Sequence, residues 1–375
     1  MLKKSLITVV GFLVINSATA QTAVQYYNDG IKFQDEDKLV EAIAAFKKAI
    51  AKDPNYKEAL YSAGWTNNEL KKYSEALPFL QKARTLWPNE PKVSLEMGYA
   101  YEKLGKKNDA IQSYNKSLSL KSDYALAYKY LGRLYYDSDD YAKSLENLKH
   151  YLEYAPDTKD DDVYFRKAVS ENELGLHEDA LVSINKANNL NPNNVKFINE
   201  LAFTFYSIGD ADDALNNYKK SLALDSKSQT ALNGLADIQR KLKKDQLEAI
   251  RLYAKTLDVN PKNIKANYWT GWCYNELGKP TDAIPYLKKV IEVDDQYVSA
   301  YTELGYCDYS LKNYDDALVN FRKAFAIEKT ELNLYYTGLC FIGKKDKSSA
   351  LKMVNDLKAL DSKYAKDLQE SIDKM

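Results

Sequence analysis

The sequence predicts an all-α protein: about ten helix–turn–helix units in tandem, closed by one further helix. Three observations carry this expectation. Small residues recur in pairs twelve apart: Gly30/Ala42, Gly64/Ala76, Gly98/Ala110, Gly132/Ser144, Ala168/Ala180, Ala202/Ala214, Gly271/Ala283, Gly305/Ala317 and Gly338/Ala350, with Ala236/Ala249 spaced thirteen. Successive pairs advance by 33 to 36 residues. Four residues after the second small residue comes a bulkier apolar one, such as Phe46, Leu80, Tyr114, Leu148 or Phe321. Units also close with proline at Pro54, Pro88, Pro156, Pro192 and Pro261, where a missing N–H and a fixed φ end a helix.

The chain begins with a separate object. "MLKK" is basic, "LITVVGFLVI" is a ten-residue apolar run, and "NSATA" ends in a small-x-small site at Ala18, Thr19 and Ala20. This is the layout of a secretory signal peptide over residues 1–20, since the apolar run is shorter than the roughly 20 residues a bilayer span needs. No later run is long enough to be transmembrane. Lys and Arg total 53, as do Asp and Glu; without Lys3 and Lys4 the remainder carries 51 basic and 53 acidic side chains. That balance speaks against nucleic acid as a partner, which a basic excess would favour.

Residues 23–364 hold the ten units. Two helices cross closely only where side chains are small, so Gly or Ala in the first helix is expected to meet Ala in the second. Larger pairs such as Phe33 with Phe46 and Tyr101 with Tyr114 fill the space around each crossing. Between the helices lie "LGKKND", "IGDADD" and "LKNYDD", where Gly ends one helix and Asp starts the next. The seventh unit carries one extra residue, expected in its turn near "KLKKDQ", and is the expected place for bending or local opening. The final stretch, 365–375, with Tyr364, Leu368 and Ile372 on one stripe, reads as a helix capping the last apolar face.

This period, with its small, aromatic and proline marks, resembles the tetratricopeptide repeat (TPR) family over residues 23–364. The resemblance implies a right-handed α-solenoid superhelix whose concave wall binds partners. It also exposes departures. The family places a bulky residue three after the first small one, where this chain has Asn67, Glu171, Gln239 and Asp308.

Little in the sequence carries chemistry. His150 and His177 lack the spacing of a metal-binding helix, and phosphate-cradling loops, nucleophile elbows and paired-carboxylate motifs are absent. The run "DTKDDD", 157–162, lacks the spaced acids and central Gly of a calcium loop and suits a helix N-terminus. Cys273, Cys307 and Cys340 occupy equivalent places in consecutive units and read as small buried thiols. No catalytic residue, cofactor site or metal site is expected, and the repeats leave no stretch for a catalytic domain.

The first helix of each unit has a stripe three before, one after and four after its small residue, at i, i+4, i+7 spacing. In the resembled family this stripe lines the concave wall. Here it holds 13 aromatics in 30 places, against 46 in all 375 residues, an enrichment of more than threefold. The candidate contacts are Tyr61, Trp65, Tyr99, Lys129, Arg133, Tyr136, Phe165, Phe203, Tyr206, Tyr268, Trp272, Tyr306 and Tyr309. Rings at helical spacing can serve as packing or as a binding face, and tyrosine can do both. Co-chaperone members of the family grip a terminal carboxylate with Lys, Asn and Arg; Lys129/Arg133 and Lys196/Asn199 are only fragments of such a set.

The expected function is a non-catalytic protein–protein interaction scaffold of the cell envelope, exported from a bacterium to the periplasm or beyond, that holds a partner peptide or helix in an aromatic groove. Carbohydrate binding linked to polysaccharide export, and a periplasmic co-chaperone or assembly role, are the alternatives.

Overall fold

The computed structural model describes residues 21–375, so the expected signal segment lies outside the described residues. The described chain is helical throughout, with no strand among the described residues. It falls into two compact units, the first ending at Thr158 and the second running from Lys159 to Met375.

The first unit holds α1 (Ala23–Asp35), α2 (Leu39–Lys52), α3 (Lys57–Glu69), α4 (Tyr73–Leu86), α5 (Pro91–Lys103), α6 (Lys107–Leu120), α7 (Ala125–Tyr136) and α8 (Tyr141–Tyr154). The second holds α9 (Asp161–Glu173), α10 (His177–Leu190), α11 (Val195–Ser207), α12 (Ala211–Leu224), α13 (Gln229–Asp237), α14 (Gln246–Val259), α15 (Ile264–Glu276), α16 (Pro280–Val293), α17 (Val298–Ser310), α18 (Tyr314–Ile327), α19 (Glu331–Gly343), α20 (Lys347–Ala359) and α21 (Tyr364–Asp373). Each helix packs on its chain neighbour, as α5 does on α6 and α15 on α16. Within a unit, several odd-numbered helices also touch the next odd-numbered one, as α3 does α5 and α17 does α19. Both units are therefore all-α solenoid segments.

The small residues do what the spacing predicts. A Cβ added at Gly30 would lie 2.4 Å from the Phe46 ring, at Gly64 2.4 Å from Leu80, and at Gly98 2.5 Å from Tyr114. Glycine is the only residue that lets these side chains lie against the first helix. The partner small residues Ala42, Ala76, Ala110, Ala180, Ala214 and Ala283 are fully buried. Gly338 differs: its nearest neighbour is Leu368 of α21, at 2.4 Å. Leu368 and Ile372 are fully buried, and Tyr364 stacks on Tyr335 at 5.1 Å. The last helix thus closes the final apolar face.

The turns share one conformation. A residue with positive φ falls seven after the small residue in nine units, for example Gly105 (φ 72), Asp139 (φ 57) and Lys312 (φ 63). In the seventh unit it is Lys244 (φ 54), eight after Ala236. The extra residue therefore precedes the turn. It is absorbed in a π-helical segment, Ile238–Leu242, that continues α13. Elsewhere the closing bond reaches back five residues, as from Lys106 N–H to Tyr101 C=O, whereas Asp245 N–H reaches Gln239 C=O six back. The sequence reading put the insertion in the turn; the backbone places it inside the helix as a π-bulge, a feature frequent at functional sites.

Three of the four polar residues in the bulky slots make side-chain hydrogen bonds. Glu171 is 1% exposed and accepts from Ser183 Oγ at 2.6 Å, while Lys167 bonds both Glu171 and Ser183 Oγ. Asp308 accepts from Asn320 Nδ2 at 2.9 Å, and Asn67 Nδ2 donates to Ala63 C=O at 2.8 Å. Where the first helix offers a polar side chain, the second often supplies its complement. The three cysteines are free and buried, and burial pushes each thiol up to about 12. His177 Nδ1 meets Asn172 Oδ1 at 3.0 Å, and His150 meets Glu153 at 3.3 Å as a surface pair. Asp161 and Asp162 occupy the first turn of α9, where negative charge complements the helix dipole.

Candidate partner-binding cleft

The second unit contains a cleft of about 670 Å³ built mainly from α11, α13 and α15. From α11 come Lys196, Asn199, Glu200, Phe203 and Tyr206; from α13 and its π-helical extension come Thr230, Asn233, Gly234, Asp237 and Arg240; from α15 come Lys265 and Trp269. All six stripe positions of the sixth and seventh units line it: Asn199, Phe203, Tyr206, Asn233, Asp237 and Arg240. Beside Lys196, which the sequence offered only as a fragment of a carboxylate grip, the lining includes Glu200, Lys265 and Trp269, which the sequence reading missed. They sit six and two before the small residue, and with the position one after they form a second i, i+4, i+7 line. Following the helix period one stripe further would have found them.

The π-bulge shapes one wall. Arg240 lies within the bulge, its guanidinium carbon 3.5 Å from the Trp269 ring centroid and 5.6 Å from that of Trp272. Its Nε donates to Tyr253 Oη at 3.4 Å, and one terminal nitrogen donates to Asp237 at 3.5 Å. Asp237 also accepts from the Tyr253 hydroxyl and pairs with Lys265 Nζ at 2.5 Å. Two cations thus share one carboxylate, and Arg240 spends its face on an indole. Beneath them, Gly234 leaves room for Tyr218: a Cβ there would lie 2.2 Å from the ring. Burial pushes the Tyr218 hydroxyl far up, with Asp237 adding to the shift.

The opposite wall is aromatic and open. Phe203 is 37% exposed, with its ring centroid 6.5 Å from that of half-buried Tyr206. Lys241 lies over Tyr206 at 5.6 Å. Glu200 accepts from Asn172 at 2.7 Å, and burial raises its carboxyl against that bond. The fold therefore gathers Lys196 and Asn199, fragments in the sequence, beside Asn233, Arg240 and Lys265.

The other candidate residues divide between packing and surface. Tyr268 is buried and packs on Trp269 at 4.8 Å and Tyr297 at 5.3 Å; burial pushes its hydroxyl up to about 12. Trp272 meets Trp269 edge-on at 5.7 Å, and Phe165 stacks on Phe197 at 5.1 Å. Tyr306 and Tyr309 both contact Tyr336. In the first unit, Tyr99 lies between Tyr73 and Tyr130, and Tyr136 meets Tyr141 edge-on. Arg133 bonds Glu102 at 2.7 Å and covers Tyr130, so it is committed to packing, while Lys129 of α7 is half-buried. Tyr61 and Trp65 line a separate small pocket. The stripe is thus partly a packing device, most open at Phe203 and Tyr306.

Comparison with known proteins agrees with this architecture. Family models described as tetratricopeptide repeat match residues 33–91 and 91–124, and one described as anaphase-promoting complex, cyclosome, subunit 3 matches residues 243–324. The TPR repeat-containing protein MJ1428 of Methanocaldococcus jannaschii is 24% identical over 252 residues, covering 65% of this chain and 44% of that protein. The heat shock protein STI1 of Saccharomyces cerevisiae is 31% identical over 123 residues, 33% of this chain and 20% of that one. The chain spans less than half the length of both. BBSome complex member bbs-4 of Caenorhabditis elegans is 23% identical over 91% of this chain and 76% of its own. Among solved structures, pilF of Pseudomonas aeruginosa aligns with a TM-score of 0.50 at 20% identity, over 56% of this chain and 96% of that one. The C-terminal part of a TPR repeat-containing protein from Cytophaga hutchinsonii gives 0.50 at 18%, over 64% and 97%. At such identities the structural likeness is one of fold. Among the described residues, no helix is long and apolar enough to cross a membrane.

Proposed function

Because this chain belongs to the tetratricopeptide-repeat family, we propose that it works as a protein–protein interaction scaffold whose second unit holds a peptide or helix of its partner in the α11–α13–α15 cleft. The scaffold role is what the repeat fold supports, and repeats of this kind generally carry no catalysis. The observation that carries the finer reading is the convergence of six stripe positions on one cleft with an open aromatic wall. A terminal carboxylate is not the favoured occupant. Arg240 and Lys265 both pair with Asp237, and the three cations of the lining, with Lys196, face three acids, Glu173, Glu200 and Asp237. An apolar or aromatic side chain against Phe203 and Tyr206 suits the wall better.

Residues 1–20 support export, which would place the scaffold in the periplasm or outside the cell. N-terminal sequencing of the mature protein should begin at Gln21. For the cleft, a photo-crosslinking residue at Phe203 in the native host should give a discrete adduct. The same residue at Val182, 61% exposed on α10, should not. Identical adducts from both positions, or none from Phe203, would remove the cleft from the proposal.

A further inference from the structure

The four tryptophans of this chain are not scattered: two, Trp65 and Trp87, line one pocket of about 310 Å³ in the first unit, beside Tyr27, Tyr61 and Lys92. We infer that this pocket binds an anionic sugar ring, with the pyranose face laid on Trp65 and its acidic group on Lys92.

The walls argue for a ring-shaped ligand. Apart from Ile31, the apolar surface is aromatic: Tyr27 packs on Phe46 and Tyr56, Lys92 lies over Tyr61 and Trp87, and Trp65 is the wall ring that, among the described residues, neither another ring nor a cation covers. A branched aliphatic or benzyl anchor from a protein seeks an enclosed hole. A sugar instead offers flat C–H faces ringed by hydroxyls, and needs aromatic planes with polar groups at their edges. Gln34, Glu58 and Ser62 supply those edges. Among the described residues, neither indole N–H has a hydrogen-bond partner, so both can donate to hydroxyls. The volume lies at the lower end of the roughly 300–1,000 Å³ usual for small-ligand sites.

The charge argues for an acidic one. The Lys92 ammonium sits 4.8 Å from the Tyr61 ring centroid and 4.7 Å from that of Trp87, held by both π faces. Lys57 approaches the same indole at 4.6 Å. Lys92 is half-buried and has no carboxylate partner among the described residues, whereas Glu58 is answered by Lys57 at 4.0 Å. Lys57, Glu58 and Lys92 together carry one net positive charge at this pocket, and Lys92, held over two aromatic rings, is the cation of the lining itself. A partly desolvated cation without an anion is costly unless a ligand supplies one. A single carboxylate, sulfate or phosphate on the sugar would do so.

The test is calorimetric titration of the full chain with tri-galacturonic acid, neutral galactotriose and an Asp-rich hexapeptide, read together with tryptophan emission. The trigalacturonate should bind at least about tenfold more tightly than galactotriose and shift the emission. Lys92→Gln should erase that difference while leaving weak binding of both sugars. Trp65→Ala should abolish both, and Trp65→Phe should retain them. Phe203→Ala with Tyr206→Ala, in the other unit, should change nothing. The inference falls if neither sugar binds at millimolar concentration, if the two bind equally, or if the hexapeptide binds more tightly than the acidic sugar. It also falls if Lys92→Gln, folded by circular dichroism, keeps the preference.

Discussion

Replacing Gly98 by Ala tests the close crossing on which every repeat depends. The new methyl would lie 2.5 Å from Tyr114 Cδ1 and 2.6 Å from Cε1. The ring has nowhere to go: Tyr114 is fully buried, and its hydroxyl donates to Glu102 at 2.8 Å. Overpacking of this kind costs about 1–3 kcal/mol. Alanine returns about 1 kcal/mol through its better helix propensity. The substitution should therefore cost up to about 2 kcal/mol in α5–α6. In a Tyr114→Ala background the obstruction is gone, and the same change should stabilise by about 1 kcal/mol. The coupling between the two sites is then about 1–3 kcal/mol, within the range for residues in contact. Hydrogen exchange of the α5 and α6 amides reads the local opening free energy directly, without requiring the whole array to unfold in one step. An equal effect of Gly98→Ala in both backgrounds would refute the crossing argument.

Glu171→Ala should be among the more damaging single changes in the second unit, costing about 3–5 kcal/mol, because it strands the Lys167 ammonium beside Ser183. The triple change Glu171→Leu, Lys167→Met, Ser183→Ala should recover most of that in urea unfolding; no recovery would show that the cluster does more than satisfy itself. Glu96 should make stability fall with rising pH. Burial pushes its carboxyl up to about 7, against the lowering effect of the Asn68 hydrogen bond. Its folded pKa lies above the unfolded value near 4.3, so its protonated form favours folding below that value, and the advantage is lost as pH climbs through about 7. The fall should be about 3–4 kcal/mol at most. Urea midpoints for wild type and Glu96→Gln should converge as the pH is lowered, and parallel curves between pH 4.5 and 8 would exclude this role.

Much of the fold was legible because helix crossings impose a strict rule on side-chain bulk. Gly30, Gly64 and Gly98 announced their contacts through spacing alone, since a residue four after the next small one must fill the space that each glycine leaves. Cysteine burial followed from position for the same reason. The cleft was half legible. Phe203 and Tyr206 lay on the stripe, but nothing local told that Tyr268 and Phe165 would be used for packing while Phe203 stays open. That depends on which ring the neighbouring repeat presents, Tyr297 or Phe197, and such pairs are set across units rather than along a helix. The insertion in the seventh unit was visible as a count, yet its form was not. One extra residue fits a turn or a helix equally well in sequence, and only the packing of Ala236, Ala249 and Tyr253, all fully buried, forced it into the helix as a π-bulge. Periodic small residues by themselves determined that this chain stacks helix pairs. Tertiary structure alone decided that Lys265 reaches Asp237 and that Trp269 lies under Arg240, because side chains from separate repeats find one another through the stacking and leave no trace in their spacing.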